Sequence, residues 1–129
     1  MNSIDATNPA GDWPVGGHYS HSVLAGDTLY VAGQTAGTPG SDELAAMDVR
    51  EQTSRCIERI RILITRAGGS LESVVKTTCF LADIGDFDAF NAAYAEAFGT
   101  HAPARSTIQV GRFPGGLLVE IEAIAVIVS

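Results

Sequence analysis

The segment Leu118–Val128 constrains the fold of this chain more than any other. Its residues alternate, and side chains along a strand point to opposite faces. Val119, Ile121, Ala123, Ala125 and Ile127 form one continuous apolar face, which predicts a strand packed against helices. The other face carries Leu118, Glu120, Glu122, Ile124, Val126 and Val128. A face that mixes two carboxylates with large aliphatics is neither a plain core nor a plain solvated surface. In a domain of this size it leaves an apolar patch uncovered, and such patches mark partner surfaces. The second sheet face is therefore expected to be an oligomer interface.

The rest of the chain supplies the elements that would cover the first face. Apolar Cys56, Ile57, Ile60, Leu63, Ile64 and Ala67 recur at helical spacing, predicting a helix over 48–67 that stops at Gly68-Gly69. A second helix is expected from an Asp86 cap through Phe98, with Phe87, Phe90, Ala93 or Tyr94 and Ala97 inward and Gly99 at its end. His21–Ala25 and Thr28–Ala32 read as strands across Gly26-Asp27. Val74–Ile84 reads as a mostly buried strand, Asn8–Gly17 as an irregular lead-in and Gln34–Ser41 as a loop. Arg105–Phe113 and Leu117–Val128 read as a hairpin around Pro114-Gly115-Gly116. The order predicts an α+β fold, a mixed sheet with two helices packed on one face, in a single domain spanning 1–129.

Composition removes several function classes. Eight Lys and Arg stand against fifteen Asp and Glu, a net charge of −7 with the cations scattered, which repels phosphate backbones. No apolar run reaches the ~20 residues of a membrane helix, and Met1–Gly11 has no secretory pattern, so a cytoplasmic protein is expected. Cys56 and Cys79 read as small buried hydrophobes. His18, His21 and His101 read as loop or surface residues with no shared metal site. The glycines at 33, 37 and 40 precede no helix in the manner of a phosphate loop.

Arg105, Thr107 and Gln109 share one strand face. In a tight hairpin Glu120 would lie opposite Gly111, on the same sheet face as Arg105 but roughly 20 Å away along the strands. A site using both residues would then draw them from neighbouring subunits.

Five stretches in order resemble the reactive-intermediate deaminase (Rid/YjgF) family, also described as endoribonuclease L-PSP-like. They are Gly17-His18-Tyr19-Ser20-His21, Leu29-Tyr30-Val31-Ala32-Gly33-Gln34, Asp86–Tyr94, Pro103-Ala104-Arg105-Ser106-Thr107 and Val119–Ala125. The resemblance implies a chorismate-mutase-like fold, a homotrimer around a central barrel and active sites between subunits. It implies hydrolysis of 2-imino acids to 2-keto acids and ammonia, with neither metal nor organic cofactor. Arg105 matches the family's carboxylate-binding arginine and Glu120 the acid that orients water. Tyr19 and the Gly33 backbone match pocket-lining groups. Thr107, expected to touch substrate, stands where many members have cysteine, and His18 where they have proline, which bears on substrate preference.

The chemistry suits these residue types. A guanidinium grips a carboxylate through two parallel hydrogen bonds and fixes the adjoining C=N carbon. A nearby carboxylate can take a proton from attacking water and return one to the departing amine. The other readings of the same residues are a dedicated deaminase of an aminomuconate-like catabolic intermediate and a non-catalytic binder of small carboxylates. A ribonuclease is disfavoured by the acidic balance and the lack of a basic stacking platform.

Overall fold

In the computed structural model, residues 3–7 and 13–128 are described. Strands β1 (Ile4–Thr7), β2 (Ser22–Ala25) and β3 (Thr28–Gln34) precede helix α1 (Val49–Arg66). Strand β4 (Val74–Leu81), helix α2 (Phe87–Phe98), β5 (Ala104–Gln109) and β6 (Val119–Val126) follow. The six strands form one mixed sheet in the order β1-β2-β3-β6-β4-β5. Both helices cover the same face, as expected. β1 lacks the length and alternation that would have flagged it, and it exists as an edge strand paired to β2. The expected lead-in over 8–17 lies outside the described residues for 8–12.

Helix α1 begins where Asp48 accepts a hydrogen bond from the Glu51 amide at 2.9 Å and ends before Gly68, whose φ of 99° a side chain would resist. Its buried stripe of Cys56, Ile57, Ile60, Leu63 and Ile64 meets Leu29, Val31, Val119, Ile121, Ala123 and Ala125. Helix α2 spans the expected residues, but the Asp86 side chain makes no cap bond; Asp83 instead accepts from the Gly85 amide in the preceding turn. Phe90, Ala93, Tyr94 and Phe98 are its buried positions, so Phe98 takes the place expected for Ala97.

The expected C-terminal hairpin does not form. β6 lies between β3 and β4, antiparallel to both, and β5 pairs in parallel with the far side of β4. Helix α2 is the crossover that makes a parallel β4–β5 pair possible, since a tight turn cannot join parallel strands. The loop between β5 and β6 is held away from hairpin geometry by Gln52 of α1. Its side-chain amide donates to the Gly116 carbonyl at 3.0 Å and accepts from the Leu118 amide at 2.9 Å.

This pairing also overturns the expected placement of Arg105 and Glu120 on one face. Arg105 is level with Thr77, whose burial puts both on the helix-covered side. Glu120 is level with Phe80 on the opposite side, between the buried Val119 and Ile121. Three residues along and two strands across separates their backbones by about 14 Å. The open face carries the half-buried Ile124, Val126 and Phe80 beside the exposed Tyr30 and Ile108. The apolar patch expected from the last strand is therefore present in the single chain and larger than that strand alone.

Two substitutions test this packing. Asp48→Ala should cost about 1 kcal/mol through loss of the helix cap, and Ile60→Ala about 2–5 kcal/mol through a core cavity. Urea denaturation reads both.

Candidate functional site

Strand β3 carries an irregularity that shapes one half of the site. Its register with β6 shifts between Val31, opposite Ala123, and Gln34, opposite Ile121, so Ala32 and Gly33 together oppose Glu122. Such a bulge re-aims the residues in it. It brings Gly33 against Glu120: a Cβ at position 33 would lie 2.3 Å from the Glu120 Oε2. No side chain larger than hydrogen fits there without displacing the carboxylate.

Glu120 and Gly33 open into a cavity of about 400 Å³ whose rim includes Tyr19, Phe113 and Pro114. The Tyr19 hydroxyl accepts from the Gly16 amide at 3.1 Å, which turns the ring over this opening. Burial pushes the Glu120 carboxyl above its ordinary value, and the charge of Glu122 pushes it the same way.

The floor is a buried polar network that the sequence did not announce. His21, expected at the surface, is only 4% exposed. Its Nε2 lies 2.8 Å from the Trp13 carbonyl, while the Trp13 indole donates to Gln34 Oε1 at 2.9 Å. Arg59, on the inner side of α1, donates to the carbonyls of Thr35 at 2.6 Å and Gly37 at 2.5 Å, and lies over the Trp13 ring. Its position at helical spacing from Cys56 and Leu63 was the available signal, masked by the run of exposed arginines around it. Arg59 gives the 35–38 loop, which walls the cavity, the hydrogen bonds its own backbone cannot make.

The other half of the site is on the edge strand β5. The Arg105 guanidinium lies over three rings of α2, at 4.7 Å from Tyr94, 5.4 Å from Phe90 and 5.7 Å from Phe87. Among the described residues it pairs with no carboxylate. Cation–π contacts of this kind contribute roughly 0.5–2 kcal/mol each while leaving the guanidinium N–H groups free to donate. Thr107, on the same side of β5, has a buried hydroxyl with no hydrogen-bond partner. An unpaired guanidinium beside an unsatisfied hydroxyl is a receptor for an acidic or carbonyl-bearing ligand. A second cavity of about 400 Å³, walled by Asn91, Tyr94, Phe98 and His101, adjoins Arg105.

The candidate residues thus fall into two separate groups in the chain: Arg105 with Thr107 in one, Tyr19, Gly33 and Glu120 in the other. No group of three or more His, Cys, Asp or Glu able to hold a metal ion occurs among the described residues. Cys56 and Cys79 are buried, and burial raises both thiols, Cys79 to about 11.

A mixed sheet covered by two helices on one face, with a guanidinium on an edge strand and a carboxylate packed on a glycine bulge, defines a class of small α+β proteins. The chain belongs to the endoribonuclease L-PSP family (Rid/YjgF), whose model matches residues 12–127. It is 43% identical over 109 residues to a RutC family protein of Pyrococcus abyssi, covering 84% of this chain and 86% of that one. It is 38% identical over 110 residues to human 2-iminobutanoate/2-iminopropanoate deaminase, covering 85% and 80%. Among solved structures, Escherichia coli TdcF with bound serine superposes with a TM-score of 0.85 at 31% identity, covering 95% of this chain and 98% of that one.

The close approach at the bulge makes a direct prediction. Gly33→Ala should leave the fold intact and move the Glu120 side chain off its position, visible as a displaced carboxylate in a crystal structure of the variant.

Proposed function

We propose that this protein hydrolyses reactive 2-imino acids to 2-keto acids and ammonia in clefts shared between subunits of a homotrimer. The observation that carries this reading is the Arg105 guanidinium, held on three aromatic rings with no carboxylate partner among the described residues. The relatives that act on 2-imino acids, and the TdcF structure that holds an amino acid, support a carboxylate-bearing ligand for it.

In this mechanism Arg105 binds the substrate carboxylate through paired N–H donors, and Thr107 donates its otherwise unsatisfied hydroxyl to the same group. The electrophilic C=N carbon is thereby fixed beside Glu120. The Glu120 carboxylate accepts a proton as water oxygen bonds to that carbon, and the imine nitrogen takes up a proton. The tetrahedral adduct then collapses: Glu120 returns its proton to the nitrogen, the C–N bond breaks and ammonia leaves, and the C=O bond forms as the adduct's hydroxyl gives back to solvent the proton that the imine nitrogen had taken from it. Tyr19 and the Gly33 backbone bound the pocket and exclude bulk water. Imines hydrolyse spontaneously, so positioning and modest proton transfer suffice.

Opposite sheet faces and about 14 Å of separation prevent Arg105 and Glu120 of one chain from serving one small substrate. The open apolar face with Tyr30, Phe80, Ile108 and Ile124 supports assembly. Packing these faces around a common axis would bring the β5 edge of one chain to the Glu120 cavity of the next. The remainder of the reading is a single domain acting in the cytoplasm, without nucleic acid or membrane partners. Among the described residues no helix is long and apolar enough to cross a membrane.

Coupled to a serine or threonine dehydratase, the protein should speed keto-acid release. Arg105→Ala should abolish this, and so should Glu120→Ala. Mixing the two dead variants under subunit exchange should restore part of the activity; exchange without recovery would sink the shared site. The pH profile gives a separate check. Glu120 must be ionised to accept a proton, and both burial and Glu122 raise its pKa. Activity should therefore fall as pH drops and Glu120 becomes protonated, and Glu122→Gln should move that limb to lower pH.

A further inference from the structure

Arg105 sits on an edge strand, and no acidic group among the described residues fixes its direction. Long side chains in such a place ordinarily sample many rotamers, and a bidentate grip on a carboxylate demands one. What fixes it must therefore come from the helix above.

Tyr94 is the residue placed to do so. Its hydroxyl lies 2.7 Å from Thr77 Oγ1 in a buried hydrogen bond. Thr77 is fully buried and stands level with Arg105 on the neighbouring strand of the parallel ladder. One ring thus spans both strands: its edge is tied to Thr77 of β4, and its face lies 4.7 Å from the Arg105 guanidinium carbon of β5. Phe98 packs on it at 4.7 Å and Phe90 at 5.7 Å between centroids, so the ring is held from two sides as well as by its hydroxyl. Burial raises the Tyr94 phenol above its ordinary value, which keeps the hydroxyl protonated. Phe87, Phe90 and Tyr94 recur at the spacing of a single helix face, and all three rings lie under the guanidinium.

We infer that Tyr94, locked by Thr77, is a positioning residue that orients Arg105 for carboxylate binding. Stacking holds the guanidinium plane without consuming its N–H donors, whereas an acidic partner would occupy the donors that the ligand needs. The pair also links the guanidinium to β4 at the core of the sheet, so an edge-strand arginine inherits the rigidity of a buried strand.

The inference rests on the carboxylate-binding role proposed for Arg105, and the test keeps the two separable. Pyruvate, the smallest 2-keto acid, serves as a probe of binding without turnover, measured by titration calorimetry. Tyr94→Leu removes the platform. The double variant Thr77→Val with Tyr94→Phe removes both hydroxyls together, so neither oxygen is left buried without the other and the only further loss is the weak Cys79 thiol bond to Thr77. Tyr94→Leu should weaken pyruvate at least tenfold and the double variant at least threefold, with a matching rise in KM for the imine and kcat within threefold. A merely structural role would instead lower the melting temperature and the fraction of binding-competent protein while leaving Kd unchanged. Less than a threefold change in the double variant overturns the inference, even if Tyr94→Leu fails to fold, and so does a wild-type protein that does not bind pyruvate. Failure of the deaminase reading is a different result: pyruvate binds and responds to these variants, yet imine hydrolysis is not accelerated.

Discussion

The fold depends on the double pairing of β6. Flanked by β3 and β4, it is the strand through which the first and second halves of the chain become one sheet. Its buried face of Val119, Ile121, Ala123 and Ala125 supplies the floor on which α1 rests. Ala123, Ala125 and Ile121 are buried in the same cluster as Cys56 and Ile60 of the helix. Because this face is fully committed to the core, Glu120 and Glu122 must point away from the helices. A single strand thereby fixes both the core and the orientation of the acid.

The arginine and the acid are positioned by different means. Glu120 is set by backbone: a bulge in β3 and the missing side chain of Gly33 make room for the carboxylate, with Arg59 bracing the loop beyond. Arg105 is set by side chains: three rings of α2 lie against it, and one of them is tied to the next strand. The two devices share no residue. Each group can therefore be well formed in a single chain independently of the other, as the proposed sharing of clefts between subunits would require. Burial raises the Glu120 pKa in the single chain, and a guanidinium arriving from a neighbour would pull it the other way. Assembly would thus tune the acid as well as complete the cleft.

Much of this was legible in the residues. The stripe from Cys56 to Ile64, the Asp48 cap and the stop at Gly68 defined α1 within a residue or two, because helical spacing over successive turns is a local signal. The alternation of 119–126 identified both faces of β6, and the aliphatics on the outer one predicted the uncovered patch. The stretches around Tyr19, Gly33, Arg105 and Glu120 carry the family resemblance in the residues themselves.

Tertiary structure alone decided which strands are neighbours. Pro114-Gly115-Gly116 carries the residues of a hairpin turn, but α2 commits β5 to a parallel pairing with β4, and Gln52 captures the loop. Strand pairing is a choice among distant partners, which no local pattern encodes, and from it follows the separation of Arg105 and Glu120 onto opposite faces. The buried roles of His21 and Arg59 were hidden for the same reason: a polar residue is stable inside only if partners far along the chain satisfy it. The sequence by itself determined both helices, strands β2 to β6, the apolar face of β6 and the family. The packing of α2 over β4 and β5, with β6 held between β3 and β4, decided where the two halves of the site would lie.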